Sequence, residues 1–242
     1  MRRILYCIML MFALIDSAYG QTELPMITMS KNKVSIGVKA GFNASLSSTK
    51  HLYIGGTKLE DITQNNKVGY TIAVFTRFNF KSHHYLQPEL SFDITKSSQT
   101  INHSAENNDA IADNALIKTS IQSLNLPVLY GYKFIDKGLY GMSFVVGPQV
   151  AWFIPKKSKN TYEGFYQQHI KEEFKQINFS AVVGLSVNVS NIYFDMRYAI
   201  GLHPITQSIT YDKNATPEPY NTESLRIKRS RNILSFAIGA IF

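Results

Sequence analysis

The feature that most constrains this chain is an alternation of apolar and polar residues that recurs in eight separate segments. Side chains of a β-strand point alternately to opposite faces, so the pattern predicts strands with one apolar face and one polar face. No repeat of helical period competes with it. The predicted strands cover residues 34–43, 68–80, 86–94, 123–134, 140–152, 177–189, 192–201 and 234–242.

The connections between these strands alternate in length. Short ones fall at 81–84, 135–138 and 190–191, and long polar ones fall at 44–67, 96–118, 154–175 and 203–228. Tight turns on one side and long loops on the other are typical of outer-membrane barrels, whereas four such loops are unusual in a compact soluble domain. The predicted fold class is all-β: an eight-stranded antiparallel up-and-down transmembrane β-barrel with short periplasmic turns and long extracellular loops.

Composition indicates which face of the strands meets lipid. The apolar face holds many aromatic residues, in a chain with 15 Phe and 14 Tyr, and the polar face is rich in Gly, Ser, Asn and Ala. The interior of an eight-stranded barrel is only just wide enough for side chains, so the small residues fit inside and the bulky ones do not. We therefore expect the apolar face to contact lipid. A soluble β-sandwich, which would bury the apolar faces between two sheets, is the alternative.

The first twenty residues have the layout of a secretory signal peptide. Arg2 and Arg3 precede an apolar stretch at 4–15, and the small residues Ala18 and Gly20 suit a cleavage site. The apolar stretch is too short for a membrane-spanning helix, and a buried N-terminal helix is the alternative. We expect 1–20 to be a cleaved signal peptide, 21–33 a short periplasmic N-terminal segment, and 34–242 the outer-membrane β-barrel domain. The expected location is the cell outer membrane.

Aromatic residues cluster beside the short connections, where an outer-membrane barrel carries an interfacial girdle. They are Phe78, Phe80, Tyr132, Phe134, Tyr140 and Phe194. The last residue, Phe242, falls in the outward-facing phase of the last strand. A terminal aromatic is similar to the signal that the barrel assembly machinery recognises, so that machinery is an expected partner.

Several motifs resemble one known family. They are Gly37-Val-Lys-Ala-Gly41-Phe-Asn43, Leu86-Gln-Pro-Glu89-Leu90, Leu126-Pro-Val-Leu, Gly147-Pro148 and Asp195-Met-Arg197-Tyr198-Ala-Ile-Gly201-Leu202. Over essentially the whole mature chain they resemble the outer-membrane β-barrel domain family of Bacteroidetes, often labelled PorT-like or porin family. The resemblance implies an outer-membrane barrel and transfers no catalytic residue. The PorT name is linked to type IX secretion, so a secretion-associated role is one alternative.

Charged residues also occur in the interior-facing phase of the strands. They are Lys39, Arg77, Glu89, Asp93, Lys133, Asp195 and Arg197. One interpretation is a charged constriction that selects ions. The other is a satisfied polar core that fills a closed barrel, because charges away from water must pair.

Pairing across the short turns predicts contacts for two of these charges. Taking Phe80 opposite Leu86 across the first turn places Arg77 opposite Glu89, where the two would form a charge-assisted hydrogen bond. Across the two-residue turn at 190–191, Val189 lies opposite Ile192, which aligns Asp195 with Ser186 and Arg197 with Gly184.

A basic run enters the eighth strand from the fourth long connection. Its members are Arg226, Lys228, Arg229 and Arg231. With both termini periplasmic, this end of the strand lies at the outer surface, at the height of the lipopolysaccharide phosphates. Because arginine clusters bind phosphate through charge-assisted hydrogen bonds, the run is a predicted lipopolysaccharide contact. The alternative is a solvated strand end that marks the limit of the bilayer.

The sequence favours a non-enzymatic outer-membrane protein with a structural or binding role, a side-chain-filled interior and a protein partner at its long loops. A small pore, or a transport- or secretion-associated component, is the alternative. A lipid-modifying enzyme is a further one, with a base drawn from His51, His103, His169 or His203. No motif fixes a nucleophile–base pair, so we predict no catalytic residue, and the sequence indicates no cofactor, metal or nucleic-acid partner.

Overall fold

The structure, a computed structural model, describes residues 33–46, 48–54, 57–58, 62–80, 83–102, 111–137, 139–155, 158–222 and 224–242. The predicted signal peptide, and all but the last residue of the predicted periplasmic segment, lie outside the described residues. The strands are β1 (Val34–Ser45), β2 (Ser48–Ile54), β3 (Thr57–Lys58), β4 (Ile62–Asn66), β5 (Val68–Asn79), β6 (His84–Ile101), β7 (Ile111–Lys137), β8 (Tyr140–Phe153), β9 (Lys159–Phe165), β10 (Gln168–Phe174), β11 (Ile177–Val189), β12 (Ile192–Gly201), β13 (Thr206–Asp212), β14 (Leu225–Ser230) and β15 (Ile233–Ile241). In the described part of the chain, no helix is long and apolar enough to cross a membrane.

Eight of these strands form a closed antiparallel ring. The order around the ring is β1, β5, β6, β7, β8, β11, β12 and β15, so neighbours in the ring follow one another along the chain. The ring closes where β15 pairs with β1, from Gly37 opposite Ile241 to Ser45 opposite Ile233. The predicted eight-stranded up-and-down barrel is confirmed, and the β-sandwich alternative is wrong.

The two faces of each ring strand have opposite character. On the outside, apolar side chains are exposed, as in Ile72 at 60%, Phe42 at 59% and Trp152 at 58%. On the inside, their neighbours Asn43 and Ala73 are each only 2% exposed. A band of exposed aliphatic and aromatic residues all around a barrel is a surface for lipid, because exposing so large an apolar area to water is unfavourable and rare in soluble proteins. The predicted orientation of the faces is confirmed.

The barrel interior contains large side chains as well as small ones. Phe75 and Tyr85 are almost fully buried, and each ring lies against a glycine of a neighbouring strand. A Cβ atom at Gly37 would overlap the Phe75 ring, and one at Gly131 would overlap the Tyr85 ring. At these two positions the narrow interior accommodates an aromatic ring because the neighbouring strand has no side chain there.

The long outer connections fold into a cap. The outer halves of β6 and β7 extend beyond the ring and pair with β4 and β9, while β10 pairs with β13 and β14 pairs with β2. The strands of the cap share one apolar core, which comprises Ile54, Ile101, Ile111, Ala115, Ile117, Phe165, Leu225 and Ile227. The segments predicted as loops thus contain paired strands with a core of their own.

At the opposite end, the ring finishes in short turns. The predicted aromatic girdle lies on the outer face there, with Phe80 and Tyr140 exposed by 56% and 59%. Phe242 also points outward, and its backbone exchanges two hydrogen bonds with Ile36 at 2.7 and 3.0 Å. The last residue therefore takes part in closing the ring.

Candidate functional site

Four charged side chains meet in the middle of the barrel interior. Lys39 Nζ lies 2.9 Å from Glu89 Oε1 and 2.6 Å from Asp195 Oδ2. Arg197 Nη1 lies 2.9 Å from Glu89 Oε2, and its Nε lies 2.8 Å from Asp195 Oδ2. All four side chains are buried. Two cations and two carboxylates balance, as charges removed from water must. We call these four residues the central network.

The central network crosses the barrel. Glu89 is on β6 and Arg197 is on β12, and three ring strands separate β6 from β12 on either side. Their contact therefore joins opposite walls. Lys39, on β1, stands midway between them around the ring and contacts a carboxylate from each wall. This arrangement closes the lumen with side chains that hold one another in place.

The predicted pairing of Arg77 with Glu89 is wrong. Phe78, rather than Phe80, lies opposite Leu86, so the register of the first hairpin differs by two residues. A shift of two leaves every side chain on its predicted face, so the alternation pattern does not exclude it. The turn closes instead on a hydrogen bond from Phe80 N to His84 O.

Arg77 has a neutral hydrogen-bond partner. Its Nε and Nη2 donate to Gln87 Oε1 at 3.1 and 3.0 Å. The guanidinium carbon lies 4.2 Å from the centroid of the Tyr85 ring and 5.1 Å from that of Tyr193, distances that suit cation–π contacts. Gln87 Nε2 in turn donates to Glu89 Oε2 at 3.4 Å. Arg77 thus reaches the central network through an amide.

The other two predicted interior charges occupy different levels. Asp93 accepts hydrogen bonds from Thr71 Oγ1 at 2.5 Å and from Asn125 Nδ2 at 2.7 Å, on the outer side of the central network. Lys133 is half-buried near the end of β7 that leads into the short turn, beside an irregularity in the pairing of β7 with β8. On the neighbouring hairpin, the predicted alignment of Asp195 with Ser186 is confirmed.

Little free space remains between these groups. A cavity of ≈ 40 Å³ borders the central network and Asp93, and another of ≈ 10 Å³ lies nearer the cap. A cavity needs about 10–15 Å³ to hold one water molecule. The interior spaces therefore suit a few bound waters and are far smaller than a solute pathway.

Two of the four residues predicted to contact lipopolysaccharide have side chains that point into the barrel. Arg229 and Arg231 are only 3% and 4% exposed. Arg229 Nη1 donates to Thr119 Oγ1 at 2.9 Å, and Arg231 Nη2 donates to Thr95 Oγ1 at 2.7 Å. Both hydroxyls belong to interior-facing positions of β6 and β7, so the prediction is wrong for this pair. Arg226 and Lys228 alternate with them and are exposed.

Glu172 joins the cap to this arginine pair. Its side chain is fully buried, and Oε2 lies 3.3 Å from Arg229 Nη1. Oε2 also accepts from Tyr162 Oη at 2.6 Å, and Oε1 accepts from Thr206 Oγ1 at 2.7 Å. Burial raises the pKa of the Tyr162 hydroxyl, which therefore stays a hydrogen-bond donor. We call this set the Glu172 cluster.

The histidines of the long connections form no comparable cluster among the described residues. His203 is exposed, and its backbone oxygen accepts from Asn178 Nδ2 at 3.3 Å. His169 is exposed as well, with Nδ1 3.8 Å from Asp212 Oδ2. His103, and the side chain of His51, lie outside the described residues.

Sequence reasoning missed Gln87, Tyr193 and Glu172. For the first two, a signal was present, because both occupy interior-phase positions of predicted strands. The same alternation runs from Ile233 back through Arg231 and Arg229, which would have placed both arginines inside. Glu172 lies in a segment without a predicted strand, so nothing local indicated its burial.

Comparison with known proteins agrees with this architecture. Residues 19–207 match the family described as outer membrane protein beta-barrel domain, which is well over half of the chain. The chain belongs to this family. Membership of the outer membrane protein beta-barrel domain family, together with the lipid-facing band, locates the protein in the outer membrane.

The chain also matches solved outer-membrane proteins, and OprG is one that shares its fold. The outer membrane protein OprG from Pseudomonas aeruginosa is 10% identical, with 86% of this chain and 95% of that chain covered at a TM-score of 0.54. Ail, the attachment invasion locus protein of Yersinia pestis, is 12% identical, with 87% and 100% covered at a TM-score of 0.38. No curated protein matches this chain in sequence.

Proposed function

We propose that this protein is a non-enzymatic outer-membrane barrel that conducts no solute and acts through its extracellular cap, in a structural or binding role. The observation that carries the proposal is the closure of the lumen by the central network. The contact of Glu89 with Arg197 spans opposite walls, and the neighbouring cavity of ≈ 40 Å³ suits only a few waters. A filled barrel leaves its outer surface as the part that can meet other molecules.

The cap offers a groove where a partner protein would bind. It has a volume of ≈ 930 Å³ and lies between the start of β9 and the end of β10. These two strands are not paired with each other, since β9 pairs with β7 and β10 pairs with β13. Lys159, Lys171 and Glu173 at its walls provide charges of both signs. A mixed polar groove beside open strand edges suits an extended protein segment.

Conductance tests the first half of the proposal. Purified wild-type protein in planar bilayers is expected to give no steady current. As a positive control, serine replaces all four residues of the central network, which removes the blocking side chains and leaves the net charge of the interior unchanged. That variant is expected to conduct. Steady wild-type current would contradict the proposal and favour the small-pore alternative.

Cross-linking tests the second half. A photo-reactive residue at Lys171, in the groove, is expected to capture a protein from the native outer membrane. The matched control replaces Lys213, an exposed lysine on the turn after β13, outside the groove lining. Equal capture from both positions, or none from Lys171, would contradict a partner at this groove.

Finer aspects of the proposal rest on the sequence. The motifs from Gly37 to Asn43 and from Asp195 to Leu202 support a place in the PorT-like group of Bacteroidetes barrels. Residues 1–20 support export through a cleaved signal peptide, which amino-terminal sequencing of the mature protein tests directly. Phe242 supports recognition by the barrel assembly machinery. Arg226 and Lys228, exposed at the outer end of the barrel, support a smaller lipopolysaccharide contact than the four-residue run suggested.

A further inference from the structure

The small cavity near the cap has an unusual wall. Two arginines line it, Arg229 and Arg231, together with hydroxyl and amide side chains that include Ser45, Thr95 and Thr119. No carboxylate belongs to the described lining of this cavity. Glu172 contacts Arg229 without lining the cavity, and Asp93 borders the larger cavity below. The enclosed space is therefore bordered by two guanidinium groups and several hydroxyl and amide groups, with Ile121 and Ile205 completing the wall.

Both arginines retain donors without an acceptor. Nε and Nη2 of Arg229 and Nε of Arg231 are buried and have no hydrogen-bond partner among the described residues. A guanidinium presents five N–H donors and no acceptor, so each unpaired N–H group can be satisfied only by an acceptor atom. Leaving buried charged donors unpaired is costly. These nitrogens need an acceptor that the described side chains do not provide.

The charges of the interior are also unbalanced. Among the described residues, the buried cations are Lys39, Arg77, Arg197, Arg229 and Arg231, and the buried carboxylates are Glu89, Asp93, Asp195 and Glu172. Five positive groups face four negative ones. The central network is neutral by itself, so the surplus positive charge belongs to the other levels of the interior. At the arginine pair, Glu172 contacts Arg229, and Asp93 interacts electrostatically with Arg231. Arg77, at another level, donates its hydrogen bonds to the neutral side chain of Gln87.

We propose that the cavity between Arg229 and Arg231 binds a monatomic anion, with chloride as the physiological ligand. The volume of ≈ 10 Å³ has room for about one water-sized particle, so it excludes phosphate, sulfate and carboxylate ligands. A halide accepts hydrogen bonds from several directions, which suits guanidinium N–H groups and hydroxyls that converge from different strands. The bound anion accepts hydrogen bonds from the unpaired nitrogens of the two arginines and joins β14, at the base of the cap, to β6 and β7 of the barrel wall.

Thermal unfolding in detergent tests the site. The protein is refolded at constant ionic strength in mixtures of sodium chloride and sodium gluconate, whose anion is too large for the cavity. A ligand that binds only the folded state raises the melting temperature with concentration. We expect roughly 3–5 °C for each tenfold increase in chloride above the dissociation constant, with bromide acting similarly.

Two variants locate the effect. Arg231→Gln is expected to abolish the dependence on chloride. Arg226→Gln, at an exposed position on β14, is expected to retain the full dependence on chloride. A wild-type melting temperature that is equal in chloride and gluconate would overturn the proposal, and so would an undiminished chloride effect in Arg231→Gln.

Crystallography keeps the test decisive if Arg231→Gln does not fold. Wild-type protein refolded and crystallised in sodium bromide is expected to show an anomalous peak between the two guanidinium groups. A cavity that contains water, with no anomalous signal, would overturn the proposal.

Discussion

The contact of Glu89 with Arg197 is expected to be strongly coupled in folding. Glu89→Gln removes one carboxylate and leaves Lys39 and Arg197 facing Asp195 alone, with a surplus positive charge. Arg197→Met leaves two carboxylates facing Lys39. Breaking a buried ion pair in this way costs about 3–5 kcal/mol, because the remaining partner stays buried without compensation. We expect each single variant to lose that much unfolding free energy.

The double variant should be no worse than the poorer single one. It retains Lys39 and Asp195, whose Nζ and Oδ2 atoms lie 2.6 Å apart, so the central network is again neutral. The expected coupling energy is therefore about 3 kcal/mol, at the upper end of the range for residues in contact. Arg77→Met provides the matched comparison, because Arg77 reaches Glu89 only through Gln87. Its coupling with Glu89→Gln should stay below about 1 kcal/mol.

Urea unfolding from lipid vesicles measures both cycles. Trp152 is the single tryptophan of the chain and faces lipid on β8, so its fluorescence reports the transfer of the barrel from bilayer to water. Additive effects of Glu89 and Arg197, or stronger coupling of Glu89 with Arg77 than with Arg197, would refute the assignment of partners.

The same unfolding assay measures two further substitutions in the barrel, and protease treatment of intact cells measures one in the cap. Val146→Arg, halfway along β8 on the lipid face, should cost roughly 2–4 kcal/mol, and Val146→Leu should cost little; equal costs would mean that this face does not meet lipid. Gly37→Ala should cost about 1–3 kcal/mol because its Cβ overlaps the Phe75 ring, and Phe75→Leu should recover most of that loss; an absence of recovery would refute the contact. Glu172→Gln should make the cap strands markedly more sensitive to protease on intact cells, whereas exposed Glu173→Gln should not; equal digestion of both variants would show that the Glu172 cluster does not hold the cap.

The barrel could be predicted from the sequence because its physical cause is local. One face of each strand meets lipid and the other meets the barrel interior, so the environment of a residue follows from its odd or even position along the strand, here called its parity. Even the charged residues Lys39 and Arg197 could be assigned to the interior in this way. Parity says nothing about which residues lie opposite one another. The two-residue turn at 190–191 permits little choice of register, and the pairing of Asp195 with Ser186 was predicted correctly. The longer first turn permits several, and Arg77 was assigned the wrong partner.

The cap could not be predicted because its causes are distant in sequence. Glu172 is buried through contacts with Tyr162, Thr206 and Arg229, which come from three other segments of the chain. No short window contains that information. Arg229 lies between these two situations. The alternation of the last strand, extended backwards, would have placed its side chain inside the barrel, but its position in a basic run outside the predicted strands suggested a solvated surface.

The length of β7 ties the cap to the wall. This strand contains 27 residues, whereas about 9–11 suffice to cross a bilayer, so much of it stands outside the membrane without a break. An insertion of one residue in its outer half would turn every following side chain to the opposite face. The turn at 213–215 shares no such constraint, because it lies at the tip of an outer connection. As lineages of this barrel diverge, the cap is free to lengthen at its tips, while its base must keep the register of the wall.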